Sequence, residues 1–279
     1  MKDKMRSISN FLLVVTVVLV IALASVGTAY AITNGQPDGD EHPYVGLVVF
    51  DVYVAGVGNV PAWRCSCALI SPNVILTAGH CTEGAVAARV WFDEDVEENP
   101  EYPFGGVTST EGTPYTNPDF CIECGNGLPG FAFRDVGVVV LDEPVDTGEY
   151  AELPNAGIVD TLKNKTDLDI VGYGVQEQIH GGGPPNWGVS EKVRLYAPSE
   201  LVSGKFVHSG EYMRITLNPG GGTGGTCFGD SGGPDLLWGT DTILGVNSYV
   251  TNYNCAGVGY SSRVDIPEVL KWINGYLQP

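Results

Sequence analysis

The chain has 279 residues, with 33 acidic and 14 basic side chains, so its formal net charge is −19 at neutral pH. A surface this acidic repels nucleic acid and acidic membranes, which argues against both as partners. The length is sufficient for a large hydrophobic core, in one domain or in two subdomains.

The first 31 residues have the pattern of a secretory signal peptide. The first six, "MKDKMR", carry three cations, and an uncharged apolar run follows at Phe11–Val26. Ala29 and Ala31 form the A-x-A arrangement of a cleavage site. An uncleaved membrane anchor is the alternative, but the run is shorter than the roughly 20 residues that a spanning helix needs. We therefore expect residues 1–31 to be removed and residues 32–279 to form a secreted, extracellular domain that does not bind membranes.

Short apolar runs separated by Gly, Pro, Asn and Asp dominate the remainder and predict strands joined by turns, in an all-β barrel or sandwich. The runs are "YVGLVVF", "NVILTA", "VGVVVL", "LDIVGYG", "MRITL" and "TILGVNSYV". One helix is predicted at residues 265–277, with Asp265 as its N-cap and Pro267 in its first turn. Its apolar face consists of Val269, Leu270, Trp272, Ile273 and Leu277.

Three stretches carry residues that suit nucleophilic catalysis. His80 follows a strand in "ILTAGHC", Asp135 precedes a strand in "RDVGVVVLDEPV", and Ser231 lies in the Gly-rich "GTCFGDSGGP". A serine nucleophile needs a base to accept its proton, and the base needs a carboxylate to fix its tautomer. A tight structural turn is the alternative interpretation of "GDSGGP". The three local contexts together favour the catalytic interpretation.

These motifs resemble those of the trypsin/chymotrypsin-like serine proteases. "ITNG", "VGYG", "GVNSYV" and the terminal helix extend the resemblance over nearly all of residues 32–279. It implies two antiparallel six-stranded β-barrels packed together, the first at about 32–150 and the second at about 151–264, with a helix at about 265–277. It also implies a serine endopeptidase that forms an acyl-enzyme, acts on peptides or proteins and is a monomer.

The resemblance assigns a role to each catalytic residue. His80 would act as general base and then as general acid, Asp135 would orient it, and Ser231 would attack the scissile carbonyl. The backbone N–H groups of Gly229 and Ser231 would form the oxyanion hole. Two other classes stay open: a non-catalytic binding protein of protease-like fold, and an acyl hydrolase acting on esters. The complete triad argues against the first, and the absence of G-x-S-x-G around Ser231 argues against the second.

The seven cysteines are expected to form disulfides in a secreted protein. The resemblance implies that one bridge anchors the His80 loop and that another ties the Ser231 loop to the specificity pocket. Two cysteines in "CIECG" are expected to bridge each other, because no βαβ pattern suggests a redox motif and no second pair suggests zinc. The pairs are Cys65–Cys81, Cys227–Cys255 and Cys121–Cys124. Cys67 is left as a buried free thiol.

The resemblance also locates a specificity pocket. Gly225, six residues before Ser231, and Thr226 would form an uncharged floor where relatives that cut after Lys or Arg carry Asp. Ser248, Tyr249 and Val250 would form one wall, and Gly259 the opposite wall. Val250 resembles the branched residue that shortens the pocket in elastase-like members. We therefore expect small or medium uncharged P1 residues, such as Ala or Val; an aromatic preference is the alternative if Val250 points away.

Activation in this family depends on a free, apolar N-terminus. Ile32 begins the "ITNG" motif, and its α-ammonium would pair with Asp230, the residue before the nucleophile. Because Ile32 directly follows Ala31, we expect signal cleavage itself to release this terminus, with no separate zymogen stage. Cleavage after Ala29 is the alternative, and it would leave Tyr30 and Ala31 to be trimmed.

No cofactor is expected, and no metal-binding motif occurs. The acidic run Asp93–Glu101 is expected to be a solvated loop, with a calcium site as the alternative, since some relatives bind calcium in this region. The histidines outside the triad motif, His42, His180 and His208, are interpreted as surface residues.

Overall fold

A computed structural model describes residues 32–33, 35–122, 124, 132–176, 178–179, 186–187, 191–202, 210–218, 223–252 and 255–277. The predicted signal peptide, His180 and His208 lie outside these residues. Within the described part, no helix is both long and apolar enough to cross a membrane.

Strands make up most of the described structure. The first nine are β1 (Gln36–Pro37), β2 (Val45–Val54), β3 (Gly58–Ser71), β4 (Val74–Thr77), β5 (Ala87–Trp91), β6 (Ser109–Thr116), β7 (Cys121–Ile122), β8 (Ala132–Phe133) and β9 (Gly137–Leu141). The next eight are β10 (Asp167–Gly172), β11 (Gln178–Ile179), β12 (Asn186–Trp187), β13 (Leu195–Glu200), β14 (Tyr212–Thr216), β15 (Pro234–Leu237), β16 (Ile243–Val250) and β17 (Val258–Arg263). The helices are α1 (Gly79–Thr82), a 3-10 turn at Ile158–Thr161, and α2 (Pro267–Asn274).

A closed six-stranded barrel in the order β2-β3-β4-β9-β6-β5 forms the first half of the molecule. β2, β4 and β9 are rich in Val and Leu and are buried along most of their length, whereas most residues of β6 are exposed or half-buried. β4 and β9 are neighbours, with Thr77 opposite Gly137. The ends of these two strands therefore bring the α1 turn that follows β4 next to the residues that precede β9.

A seven-stranded sheet in the order β1-β13-β10-β15-β16-β17-β14 forms the second half. Leu201, directly after β13, forms an isolated bridge with Ile215 of β14, so the two sides of the sheet approach each other there. β1, near the start of the described chain, is its edge strand and pairs with β13, not with the first barrel. The predicted all-β class with a C-terminal helix is confirmed, but the second half has an added strand and is less fully closed than the six-stranded barrel expected.

The terminal helix begins differently from the prediction. Ile266 is its N-cap, and no side chain caps it. Asp265, the predicted cap, instead accepts hydrogen bonds from Arg263 and from the Val159 N–H at 2.8 Å. A charge-assisted hydrogen bond to a guanidinium stabilises a buried carboxylate more than a helix terminus alone does. Asp265 therefore pairs with Arg263 and does not cap the helix. Val269 and Ile273 pack into the core as expected.

Candidate active site

His80 and Asp135 lie close together at the end of the first barrel where β4 ends and β9 begins. The fully buried Asp135 carboxylate accepts a hydrogen bond from His80 Nδ1 at 2.7 Å and another from the His80 backbone N–H at 2.7 Å. The Ser248 hydroxyl donates to the same carboxylate. Burial lowers the pKa of His80, but the charge and hydrogen bond of Asp135 outweigh it and hold the pKa above its usual value. The carboxylate thus fixes the ring so that Nε2 remains available as a base.

Ser231 lies with His80 in the wall of a cavity of about 400 Å³. The loop around Ser231 is held by the first barrel, because the Ser231 carbonyl accepts the Ser66 N–H at 2.8 Å. The Ser66 hydroxyl donates to the Gly229 carbonyl at 2.9 Å and accepts the Tyr173 N–H at 3.0 Å. These bonds fix the peptide planes between residues 229 and 230 and between residues 231 and 232, one before Asp230 and one after Ser231.

Two glycines allow this loop its shape. Gly229 has a φ of 100° and Gly232 a φ of 79°, both in the region that favours glycine. A Cβ on Gly232 would lie 2.0 Å from Thr77 Oγ1, so the loop could not approach the first barrel with any other residue there. The "GDSGGP" spacing therefore reflects both backbone conformation and close packing.

Asp230 is fully buried beneath this loop. Its carboxylate accepts the Gly174 N–H at 2.7 Å and the Cys227 N–H at 2.8 Å. Burial raises its pKa to about 7, against the lowering effect of these two amides and of Arg64. Two backbone bonds thus only partly compensate for the loss of water, and a cation beside Asp230 would stabilise it further.

The start of the described chain lies against the same loop. Ile32 is fully buried in the core of the second sheet. Thr33 and Gly225 exchange backbone hydrogen bonds, each of 3.0 Å. The segment predicted to become the new N-terminus is therefore hydrogen-bonded to the segment that leads to Ser231.

The cavity around His80 and Ser231 includes several of the predicted specificity residues. Its lining is His80, Thr226, Cys227, Phe228, Ser231, Asn247, Ser248, Tyr249, Val250, Thr251 and Asn252. Val250 is paired with Gly259 and packs against Val175 and the Cys227–Cys255 bridge. Phe228 and Asn247 were not predicted as lining residues; their positions within "GTCFGDSGGP" and "GVNSYV" were the available signal.

The two glycines predicted as floor and wall are not in the cavity lining. A Cβ on Gly225 would lie 2.9 Å from Leu217 Cβ, and a Cβ on Gly259 would lie 3.0 Å from Leu217 Cδ2. Both glycines therefore face the Leu217 side chain, which occupies the space behind them. Leu217 was not identified from the sequence, because it lies outside every motif.

The structure contains the disulfides Cys65–Cys81, Cys121–Cys124 and Cys227–Cys255. Cys67 is a buried free thiol that donates to the Gly46 carbonyl at 3.4 Å, and burial raises its pKa well above the usual range. In the described residues, Cys65, His80 and Cys81 are the one group of ligand atoms close enough for a metal ion. Because both sulfurs belong to a disulfide, this group is not a metal site.

The acidic run lines a separate cavity of about 380 Å³, which includes Asp93, Asp95, Glu98 and Glu101. These oxygen donors have the chemistry that calcium prefers, and Asp93 Oδ2 is buried without a hydrogen-bond partner in the described chain.

His42 departs from the surface interpretation. Its side chain is 11% exposed, and its Nδ1 lies 2.6 Å from Oδ1 of the buried Asp38, which Arg194 also binds.

Comparison with known proteins gives a consistent match. The family model described as Trypsin matches residues 42–273. Human chymotrypsin-like elastase family member 3B is 28% identical over 206 residues, covering 68% of this chain and 69% of the relative. Serine protease 1 of Drosophila melanogaster is 26% identical over 250 residues, covering 88% and 83%. The structure of HL collagenase superposes with a TM-score of 0.64 at 19% identity, covering 88% of this chain and 98% of that one.

Proposed function

This chain belongs to the trypsin family and is a serine-type endopeptidase, and we propose that it cleaves peptide bonds through Ser231, His80 and Asp135. The observation that carries this assignment is the hydrogen bond of 2.7 Å between the buried Asp135 carboxylate and His80, in a cavity that Ser231 also lines. A base held in one tautomer next to a serine is the arrangement that acyl transfer requires.

In the proposed mechanism, His80 Nε2 takes the Ser231 hydroxyl proton while Oγ attacks the scissile carbonyl. The N–H groups of Gly229 and Ser231 stabilise the oxyanion that forms. His80 then gives the proton to the leaving amine, and the C–N bond breaks to leave an acyl-enzyme. Water then attacks the acyl carbonyl while His80 takes its proton. The ester C–O bond to Ser231 breaks, His80 returns the proton to Oγ, and the second product leaves as the acid. Asp135 keeps the ring in place and stabilises the imidazolium.

The proposed P1 preference is for small or medium uncharged side chains. The cavity lining contains no Asp, Glu, Lys or Arg within the described part of the chain. Val250 lies in the cavity wall and is held there by Val175 and the Cys227–Cys255 bridge. A branched side chain in this position limits the depth available to P1. Because apolar pockets discriminate by only about 1–3 kcal/mol per methylene, the preference should be graded.

Activation is proposed to follow directly from signal removal. Cleavage after Ala31 would convert the Ile32 amide to an α-ammonium, which would pair with Asp230. Three observations support this arrangement: Ile32 is buried, Thr33 pairs with Gly225, and the two backbone hydrogen bonds to Asp230 only partly offset the cost of burying its carboxylate. N-terminal sequencing of the secreted, active protein tests it: the expected first residue is Ile32, and full activity with a start at Tyr30 would exclude the ion pair.

The mature protein is proposed to be an extracellular monomer that acts on peptides or proteins without a cofactor. The three disulfides support an oxidising compartment. A serine-reactive phosphonate should label Ser231 stoichiometrically, with loss of labelling in Ser231→Ala. Absence of labelling would indicate a non-catalytic binding protein, and turnover of simple esters without turnover of peptides would indicate an acyl hydrolase.

A further inference from the structure

Asp235, on β15, is a fully buried carboxyl that the proposed mechanism does not use. Within the described residues, neither of its oxygens has a hydrogen-bond partner. Its cross-strand neighbours are Ile170 on β10, which belongs to the apolar core of the second sheet, and Gly245 on β16. Burying a carboxyl in such a place is costly unless some group compensates for it.

A short series of polar side chains leads from Asp235 to the substrate cavity. Gly245 has no side chain, and a Cβ there would lie 2.7 Å from Met213 Cε and 3.3 Å from Ser261 Cβ, so the Met213 methyl and Ser261 both lie beside Gly245. Ser261 is fully buried, and its Oγ lies 3.5 Å from Asn247 Oδ1. Asn247 is in the cavity lining. The order from core to substrate is therefore Asp235, Ser261, Asn247, cavity.

Ser261 also acts on Asp235. Burial raises the pKa of Asp235 to about 7, and the Ser261 hydroxyl opposes this rise. The hydroxyl is thus close enough to influence the carboxyl, although neither carboxyl oxygen meets hydrogen-bond geometry.

Several titratable side chains lie on the strands around Asp235. The titratable side chains there are Asp167 and Asp169 on β10, Tyr212 and Arg214 on β14, Tyr249 on β16, and Tyr260 and Arg263 on β17. Arg263, in the same cross-strand row as Asp235, is bound by Asp160 and Asp265. Burial and Ser261 alone account for the shift in the pKa of Asp235.

We propose that Asp235 is a positioning residue that, through Ser261 and Asn247, gives the substrate cavity a pH-dependent preference for P1 side chains that donate a hydrogen bond. The proposal rests on the proposed function, because it requires peptide cleavage at Ser231. It extends that function from small uncharged P1 residues in general to a choice between isosteric polar and apolar ones.

The Ser261 hydroxyl has one proton, and the ionisation of Asp235 decides where it points. When Asp235 is protonated, its O–H donates to Ser261, and Ser261 donates to Asn247 Oδ1. When Asp235 loses its proton to solvent, Ser261 turns to donate to the carboxylate. Asn247 Oδ1 is then an unsatisfied acceptor in the cavity wall, and a P1 hydroxyl or amine can satisfy it.

Thr and Val are isosteric and differ in one donor, so the ratio of kcat/KM for P1 Thr over P1 Val isolates this effect. We expect the ratio to rise about three- to tenfold between pH 5.5 and pH 8.5, the range of one neutral hydrogen bond. Titration of His80 and of Asp230 affects both peptides alike and cancels in the ratio. Asp235→Asn and Ser261→Ala should each make the ratio independent of pH, and the exposed Asp142→Asn should behave as wild type.

The outcomes separate the two proposals. If neither peptide is cleaved and the phosphonate does not label Ser231, the proposed function fails and this inference fails with it. If both peptides are cleaved but the wild-type ratio is constant with pH, only this inference is overturned. If Asp235→Asn does not fold, the pH profile of the wild-type ratio still tests the proposal. Ser261→Ala removes the hydroxyl between Asp235 and Asn247 and leaves the carboxyl in place. A profile in Ser261→Ala that follows wild type would also overturn it.

Discussion

Placing one extra residue before Ile32 should make the stability of this protein depend more steeply on pH. The added residue turns the α-ammonium into an amide, so Asp230 remains buried with only backbone donors. In that form burial raises the pKa of Asp230 from 3.8 to about 7. A carboxyl whose pKa is raised on folding favours the folded state below its unfolded pKa, and this advantage is lost as pH rises towards the folded pKa.

The size of the effect follows from this shift. Each pKa unit corresponds to 1.36 kcal/mol, so ionising Asp230 without a cation costs about 4 kcal/mol in full, and about 3 kcal/mol of this falls between pH 5 and pH 8. With a free Ile32 ammonium, the ion pair keeps the pKa low and this loss disappears. Asp235 and all other groups are common to both proteins and cancel in the comparison.

Thermal and chemical unfolding of two proteins, one beginning at Ile32 and one with an added Ala, measures the difference. Both should carry Ser231→Ala to prevent self-cleavage. At about 2–4 °C per kcal/mol, the extended protein should lose about 6–12 °C more in Tm between pH 5 and pH 8. Asp230→Asn in both backgrounds should remove the difference. Equal pH slopes in the two starting proteins would refute the ion pair and the energetic argument with it.

Four further outcomes are expected. Ser231→Ala should abolish peptide turnover while Tm is retained, and His80→Ala should cost a similar amount, with little further loss in the double variant, because triad members act as a unit. Because the pKa of His80 is raised, kcat/KM should reach half its maximum above pH 6.5, and Asp135→Asn should depress activity and alter that profile. Val250→Gly should shift cleavage towards Phe and Leu at P1; an unchanged peptide-library profile would remove Val250 from the pocket. A chelator should leave Tm and activity unchanged if the Asp93–Glu101 loop is only solvated, whereas a rise in Tm with calcium would assign a site.

The proposed catalytic residues could be identified from the sequence because each lies in a motif whose residue types are needed for the local backbone conformation or packing. The glycines of "GDSGGP" are needed for positive φ and for close approach to Thr77. The strand before "GHC" and the strand after "RD" pair in the first barrel, which explains why residues far apart in the chain meet. The all-β class followed from short apolar runs between turn residues. These features are local, and local patterns are what a sequence displays directly.

Features that depend on tertiary packing were not predictable in the same way. Asp265 has every property of an N-cap, but its pairing with Arg263 and the 3-10 turn becomes visible only once the second sheet is formed. His42 looks like a surface residue until the buried Asp38 is placed beside it, where Arg194 also binds. In both cases a buried carboxylate determines the outcome, because it recruits whichever donors the fold brings near.

The substrate cavity shows the same dependence at the functional level. Resemblance to the family places Gly225 and Gly259 at the pocket. A glycine leaves room beside its backbone, and in this chain the Leu217 side chain fills the room beside both glycines. The residues that line the cavity instead include Asn247, whose amide oxygen lies near the Ser261 hydroxyl. Ser261 in turn lies on the side of the core that holds Asp235. On our proposal, specificity in this chain depends on the residues packed behind the cavity wall as well as on those that touch the substrate. That is why a buried carboxyl outside every motif is the position at which to look for a preference that the pocket residues alone do not predict.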